Sequence, residues 1–283
     1  MSPLGARRRP KLTPRDAGGD SPNSLETMSD SILFSVEDRL ARITLNRPER
    51  LNAFEASMAH SWREVTTEAT SRDDVGAILI DAAGPAFCAG GDVRAMAEQS
   101  SGAAITELAE VINGGILALT ESRVPVVVAA HGTTAGGGLG ILLSSDYAVV
   151  GESSRIGSLY ASMGLTPDLS VSAQLARAVG ERRALQLVLQ ARMLSAAEAV
   201  EWGLVAEAVP DAEVGARAEA VARFWLDGAA AAYGTAKRLV RDAAHRSVAE
   251  QLAEEARSIG AAFDTAEAQA LIAGFAARAG RTK

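Results

Sequence analysis

Residues 131–146 read His131-Gly132-Thr133-Thr134-Ala135-Gly136-Gly137-Gly138-Leu139-Gly140-Ile141-Leu142-Leu143-Ser144-Ser145-Asp146. The run Val124-Pro125-Val126-Val127-Val128-Ala129-Ala130 leads into them with the composition of a buried strand. Residues 139–143 lead out with that of an apolar helix. Three consecutive glycines at a strand-to-helix junction need a reason, because glycine inside regular structure is worse than alanine by about 0.5–1 kcal/mol. They offer a bare backbone that another molecule can approach closely. They also set peptide N–H groups at a helix start, where the first four are unpaired and negative charge is favoured. Two phosphate-binding patterns fail: no Lys follows the glycines, and Ile141 stands where a dinucleotide fingerprint needs its third glycine. Taken alone, the stretch also fits close helix packing at a tight turn.

A second stretch, Ala86-Phe87-Cys88-Ala89-Gly90-Gly91-Asp92, also follows an apolar strand, Ala77-Ile78-Leu79-Ile80, and also opens a helix. Two such junctions can aim two backbone N–H groups at one point, which is an oxyanion hole. This pair of motifs resembles the enoyl-CoA hydratase/isomerase (crotonase) superfamily. The resemblance runs from about residue 32 onward and includes Ile43-Thr44-Leu45-Asn46-Arg47-Pro48 and Leu51-Asn52-Ala53. It implies an α/β fold with a spiral ββα core and a helical C-terminal trimerisation region.

The bulk properties agree. A chain of 283 residues, 48% hydrophobic and 22% charged, reads as soluble and globular, with length for one large domain or two small ones. A net charge of −7 disfavours nucleic acid and anionic membranes as partners. The single cysteine excludes an intrachain disulfide and fits a reducing, cytoplasmic setting. Cys88 reads as a small packing residue rather than a nucleophile. His60, His131 and His245 show no metal-ligand spacing, so no metal is expected.

Along the chain, residues 1–30 are rich in Pro, Arg, Ser and Gly and are expected to be a disordered extension. Arg7-Arg8-Arg9 begins like a signal peptide, but no apolar stretch follows, and Asp16, Asp20 and Glu26 argue against a transit peptide. Met28 is an alternative start. No segment reads as long and apolar enough to span a membrane. Strands are expected at 32–36, 40–45, 77–81, 126–130, 147–150 and 155–157, with helices at 52–69 and 103–119. Their alternation makes 31–210 a layered α/β core with crossovers. From residue 170 the pattern reads as helical throughout, Gly203 reads as a helix stop, and 211–283 forms the helical C-terminal region. A last helix is expected to begin at Phe263-Asp264-Thr265 and run through Phe275. Lys237 and Arg238 read as a solvated face, Phe263 and Phe275 as core or interface.

By resemblance, the oxyanion donors are the N–H groups of Ala89 and Gly137, facing a thioester carbonyl. Such a donor contributes about 2.7–4 kcal/mol of transition-state stabilisation. The CoA part of the substrate would pass Arg47, Arg50, Leu51 and Ala53, with Ala86 near the adenine, and the glycine loop Gly90, Gly91 and Asp92. A solvated loop is the other reading of the arginines, and a helix cap that of Asp92. The hydratases' two glutamates fall on Gly140 and Tyr160, so the two carboxylates that position and deprotonate water are missing at those places. Gly164-Leu165-Thr166-Pro167-Asp168 looks like the element in which Δ3,Δ2-enoyl-CoA and epoxyphenylacetyl-CoA-type isomerases carry their acid/base, which assigns that role to Asp168. The other reading of Asp168 is a helix N-cap, which would lower its pKa where a proton shuttle wants it raised. Tyr160 either shapes the pocket and hydrogen-bonds within it or packs as a plain aromatic. Glu98 is the weaker alternative acid. The expected activity is acyl-CoA isomerisation, with CoA arriving as part of the substrate and no separate cofactor. A hydratase or hydrolase on the same scaffold and a non-catalytic acyl-CoA binder are the alternatives. A homotrimer or dimer of trimers is the expected assembly.

Overall fold

The run 126–130 is apolar at every position because both faces of its sheet are covered, the usual condition of parallel strands. In the computed structural model, which describes residues 30–99 and 101–279, this run is a central strand. All but the last residue of the expected N-terminal extension lies outside the described residues. The chain forms β1 (Ile32–Glu37), β2 (Leu40–Leu45), α1 (Ala56–Ser71), β3 (Ala77–Ala82), α2 (Val93–Ala97), α3 (Gly102–Glu121), β4 (Val126–Ala130), β5 (Thr133–Ala135) and α4 (Gly137–Ser144). It continues through β6 (Tyr147–Gly151), β7 (Arg155–Gly157), α5 (Val171–Val179), α6 (Glu181–Leu189), β8 (Met193–Ser195), α7 (Ala196–Trp202) and β9 (Glu207–Val209). The C-terminal helices are α8 (Val214–Asp227), α9 (Ala230–Asp242), α10 (Val248–Phe263) and α11 (Ala266–Ala279).

The larger sheet has the order β1-β2-β3-β4-β6-β9. Only β1 and β2 pair antiparallel, with Ile32 opposite Leu45; Ile78 pairs with Val126 and Val127 with Tyr147 in parallel register. Alternate residues of β4 enter two cores. Val126, Val128 and Ala130 face α1, α3 and α4, among Trp62, Ile116 and Leu139. Val127 and Ala129 face α8, against Val214, Ala218 and Val221. A smaller sheet, β5-β7-β8, stands beside the end of β4 and leads into the glycine stretch and α4, whose residues are all buried.

Four expectations change. The helix expected from residue 52 begins at Ala56, because Leu51 and Asn52 take left-handed φ values of 51° and 56° and Phe54 instead bridges to Gly91. The region beyond residue 170 is not all helical: β8 closes the small sheet and β9 adds an edge to the large one. Strands of three residues are too short to show a period of two against Ala-rich surroundings. The last helix starts at Ala266, because α10 runs on to Phe263. Finally, α3 is long and apolar enough to cross a membrane by length and composition. Here its Val111, Ile112, Ile116 and Leu119 pack into the core, and the Trp62 indole N–H donates to the Ile112 carbonyl at 3.2 Å.

Lys237 and Arg238 are not a solvated face. Lys237 is buried, with Nζ donating to the carbonyls of Leu119 at 2.7 Å and Val124 at 2.8 Å and pairing with Asp146 at 3.0 Å. Arg238 donates to the Thr120 carbonyl at 3.1 Å. Together they fasten α9 to the end of α3 and the start of β4. Beyond that anchor, α10 buries no residue and exposes Val248, Leu252, Ile259 and Phe263, and α11 exposes Leu271, Ile272 and Phe275.

Candidate active site

The first glycine loop is stitched through its backbone to β5 of the smaller sheet and to His131 just before it. Phe87 N–H donates to the His131 carbonyl at 2.8 Å, Cys88 N–H to Thr133 at 3.2 Å, and Ala135 N–H returns to Cys88 at 2.9 Å. Cys88 is fully buried in this seam, and burial pushes its thiol up to about 12, which fits packing and not nucleophilic use. The second glycine stretch docks on the first. Gly136 turns the chain with φ 53°, and a Cβ on Gly138 would collide with the Cys88 carbonyl. The triple glycine therefore does provide close packing, and that packing brings the two junctions together.

Ala89 N–H donates to the Leu51 carbonyl at 3.0 Å, so it is not free to serve a ligand. This corrects the expected first oxyanion donor. Phe54 N–H donates to Gly90 O at 2.7 Å, and Asp92 N–H donates to Phe54 O at 2.8 Å. In an extended segment neighbouring residues point their peptide groups to opposite sides. Gly91 N–H therefore faces away from Phe54, and Gly91 lines a pocket with Gly137, Tyr160, Asp168 and Leu169. Gly137 is the first residue of α4, where a helix leaves its N–H without an internal partner. A Cβ on Gly137 would lie 3.9 Å from the Gly90 carbonyl carbon, the atom bonded to Gly91 N. Gly137 and the Gly90–Gly91 peptide thus lie close together at the pocket wall.

Asp168 enters the same pocket from the loop before α5. Leu169 and Ser170 both take left-handed backbone, φ 49° and 64°. Such residues are strained by about 1–2 kcal/mol each and persist only when held by their surroundings. What holds them is Leu169, buried and packed on α4. A Cβ on Gly140 would lie 2.7 Å from both the Cβ and the carbonyl oxygen of Leu169. A side chain at 140 has no space. Asp168 does not cap α5 with its side chain; Ser170 occupies the cap position, and only the Asp168 carbonyl accepts from Val171 N–H at 2.9 Å. Its carboxylate instead accepts from the Tyr160 hydroxyl at 2.5 Å. Burial raises the Asp168 pKa above the ordinary carboxylate value, and the Tyr160 hydrogen bond opposes that rise. Tyr160 is itself pushed upward by burial and by the facing carboxylate, so it stays protonated as the donor.

The remaining expected site residues divide. Arg47 donates to the Ala53 carbonyl and pairs with Asp92 at 3.3 Å, so its charge is committed inside the loop. Asp92 caps α2, accepting from Arg94 N–H at 3.1 Å and Ala95 N–H at 3.3 Å. Burial works against its ionised form, but those N–H groups and Arg47 hold its pKa below the usual value. Ala53 and Ala86 are buried, and the Ala86 carbonyl already accepts from Asn52 at 2.8 Å. These four, with Gly90 at φ 106°, build the loop rather than present it. Arg50 and Leu51 are exposed on its outer side. Glu98 is exposed at the end of α2 and does not line the pocket. Sequence reading missed Asn52, which is fully buried and also bonds Arg47 N–H at 2.7 Å and the Ala83 carbonyl at 2.9 Å.

The arrangement can polarise one carbonyl oxygen with two N–H groups and move one proton with one carboxylate. The model of the enoyl-CoA hydratase/isomerase family matches residues 35–280. A probable enoyl-CoA hydratase of Mycobacterium tuberculosis is 32% identical over 246 residues, covering 87% of this chain and 95% of its own. The 1,2-epoxyphenylacetyl-CoA isomerase of Escherichia coli is 30% identical over 228 residues, covering 80% of this chain and 87% of its own. A Mycobacterium abscessus structure, described as an enoyl-CoA hydratase/isomerase and 30% identical, superposes with a TM-score of 0.84 over 87% of this chain and 96% of its own.

Proposed function

The chain belongs to the enoyl-CoA hydratase/isomerase family, and from that premise we propose that it shifts a double bond in an acyl-CoA thioester, with Asp168 as the acid and base. The observation that carries the reading is the pairing of Asp168 with an unfillable Gly140: the pocket holds one carboxylate, and Leu169 blocks the place of a second. One carboxylate suffices for isomerisation. The thioester oxygen sits between Gly91 N–H and Gly137 N–H. Asp168 removes a proton from C2 of a 3-enoyl thioester, and the electron pair delocalises onto that oxygen and C4. The protonated Asp168 then returns the proton at C4, leaving the 2-enoyl thioester. The two N–H groups stabilise the enolate charge as it forms. A carboxyl whose pKa is lifted by burial is the stronger base once ionised, which suits it to both transfers. Tyr160 holds one carboxylate oxygen and leaves the other for the substrate.

CoA enters past Arg50 and Leu51, the two expected contacts that remain exposed. The apolar faces of α10 and α11 meet further copies of the chain in a trimer or a dimer of trimers. The test is conversion of a 3-enoyl-CoA to the 2-enoyl-CoA, run beside hydration of a 2-enoyl-CoA, for the parent and Asp168→Asn. Isomerisation that collapses in Asp168→Asn, with little hydration in either protein, is the expected result. Strong hydration that survives in Asp168→Asn refutes the assignment. Tight acyl-CoA binding with neither reaction, and no exchange of substrate protons with D₂O, leaves a binding protein without turnover.

A further inference from the structure

The reaction pocket is small, about 40 Å³. A water needs about 10–15 Å³ of such space, so it has room for about three water-sized groups. That is enough for the reacting carbons and little more. A second cavity of about 260 Å³ adjoins it between α1, α2 and the start of α3. Phe54, Met96, Ile105 and Leu108 line both spaces. Of these four, Met96 is the unbranched and adaptable one, the side-chain type that fills irregular gaps and repacks readily. Its terminal methyl occupies the place where a Cβ on Gly91 would stand, directly beside a proposed oxyanion donor. Beyond it the outer cavity is walled by Ala95, Ala104 and Val111, while Glu55, His60, Asp92, Gln99 and Glu107 supply its polar lining.

We infer that Met96 is a movable partition between the reaction pocket and the outer cavity, and that the outer cavity receives the far end of an apolar acyl group of about six to ten carbons. The inference rests on the acyl-CoA reading above and adds the class of acyl group. With Met96 in place, a short acyl group fills the inner pocket. A longer chain, or a ring, displaces the Met96 side chain toward α3 and extends between Ile105 and Leu108. A cavity of about 150 Å³ accepts a benzene ring, so the outer space is ample for a ring or several methylenes. The carboxylates of Glu55, Asp92 and Glu107 outnumber the one imidazole there, His60, and so disfavour acyl groups that end in a carboxylate.

The experiment uses S-alkyl-CoA thioethers, which bind without reacting, with alkyl groups of four, six, eight and ten carbons. Dissociation constants are measured by calorimetry on the full chain and on Ala104→Trp, Met96→Phe and Met96→Ala. In the parent, affinity rises about two- to fourfold per added methylene beyond the fourth carbon. Ala104→Trp fills the outer cavity, so the ten-carbon ligand loses its advantage over the four-carbon one. Met96→Phe does the same from the partition itself, which keeps the test sound if the tryptophan variant folds poorly. Met96→Ala removes the partition and widens the ratio in favour of the longer ligand. A ratio between ten and four carbons that stays the same in all three variants overturns the inference. So does a ten-carbon thioether that ends in a carboxylate and binds as tightly as the methyl-ended one. Isomerase inactivity with the chain-length trend intact sinks the isomerase reading alone; failure to bind any thioether sinks both.

Discussion

Replacing Tyr160 by Phe removes one oxygen and, with it, the side-chain hydrogen bond that the Asp168 carboxylate accepts. The hydroxyl donates to the ionised form and so favours it. Hydrogen bonds to charged groups contribute about 1.5–3 kcal/mol, and one pKa unit corresponds to about 1.36 kcal/mol. Asp168 is only partly buried, so solvent screening selects the lower end, an upward shift of about one unit. The sign follows from the roles: Asp168 must be ionised to accept the C2 proton, and a higher pKa leaves it protonated over a wider range. In Tyr160→Phe the acid limb of the kcat/KM profile for 3-enoyl-CoA isomerisation therefore moves about one unit toward higher pH. Activity on that limb falls about tenfold, while the plateau at high pH stays within about tenfold of the parent. An unmoved acid limb with a collapsed plateau would refute the reasoning and make Tyr160 a proton donor in its own right. A limb moved toward lower pH would show that the hydroxyl serves the protonated carboxyl instead.

Three further outcomes are expected. Because the folded pKa of Asp168 is raised, the stability associated with its protonated form is complete below the unfolded value of about 3.9 and is lost as pH rises through the folded value. Asp168→Asn should therefore be more stable than the parent at pH 8, with the urea midpoints converging below about pH 4; a less stable variant at pH 8 contradicts the burial argument. Gly140→Ala drives a Cβ into the backbone of Leu169 and should reduce isomerisation at least tenfold, with about 1–3 kcal/mol of stability lost, whereas full activity would show that the loop yields freely. Lys237→Ala removes the charged donor shared by the Leu119 and Val124 carbonyls, leaves them the longer bonds from the Ser122 hydroxyl at 3.2 and 3.3 Å, and weakens the hold on Asp146. It should lower stability by about 3 kcal/mol in urea titration, and a loss under 1 kcal/mol would mean that Arg241, which also pairs with Asp146 at 2.7 Å, suffices.

The two strand–glycine–helix junctions were legible because each element announces itself locally: β3 opens with the apolar run Ala77–Ile80, β4 is apolar throughout, and glycine runs follow both. The Gly164–Asp168 motif pointed to Asp168, which the structure places in the pocket, but its surroundings were not legible. Nothing in the letters Leu169-Ser170 marks a left-handed backbone, since neither is a glycine, and the conformation depends on the contact with Gly140. The expectation that Ala89 N–H faces the pocket failed for a related reason. Which N–H is free is decided by Leu51 and Phe54, roughly forty positions earlier, and no pattern within the loop carries that pairing. Lys237 shows the limit of helical spacing: a lysine beside an arginine on a polar stretch reads as solvated, whereas the carbonyls of Leu119 and Val124, far earlier in the chain, draw it inward.

The contact between Gly140 and Leu169 bears on how this scaffold could change its chemistry. A glutamate at position 140 is a single substitution on paper, yet here the space is already taken by the loop that presents the acid. Installing a second carboxylate would first require rerouting residues 164–170, and that would dislodge Asp168 before the newcomer could work. On the proposed assignment of Asp168, a gradual path from isomerisation to hydration would cross an inactive intermediate. A designer seeking water addition from this chain should graft the whole loop together with position 140, as one inseparable cassette.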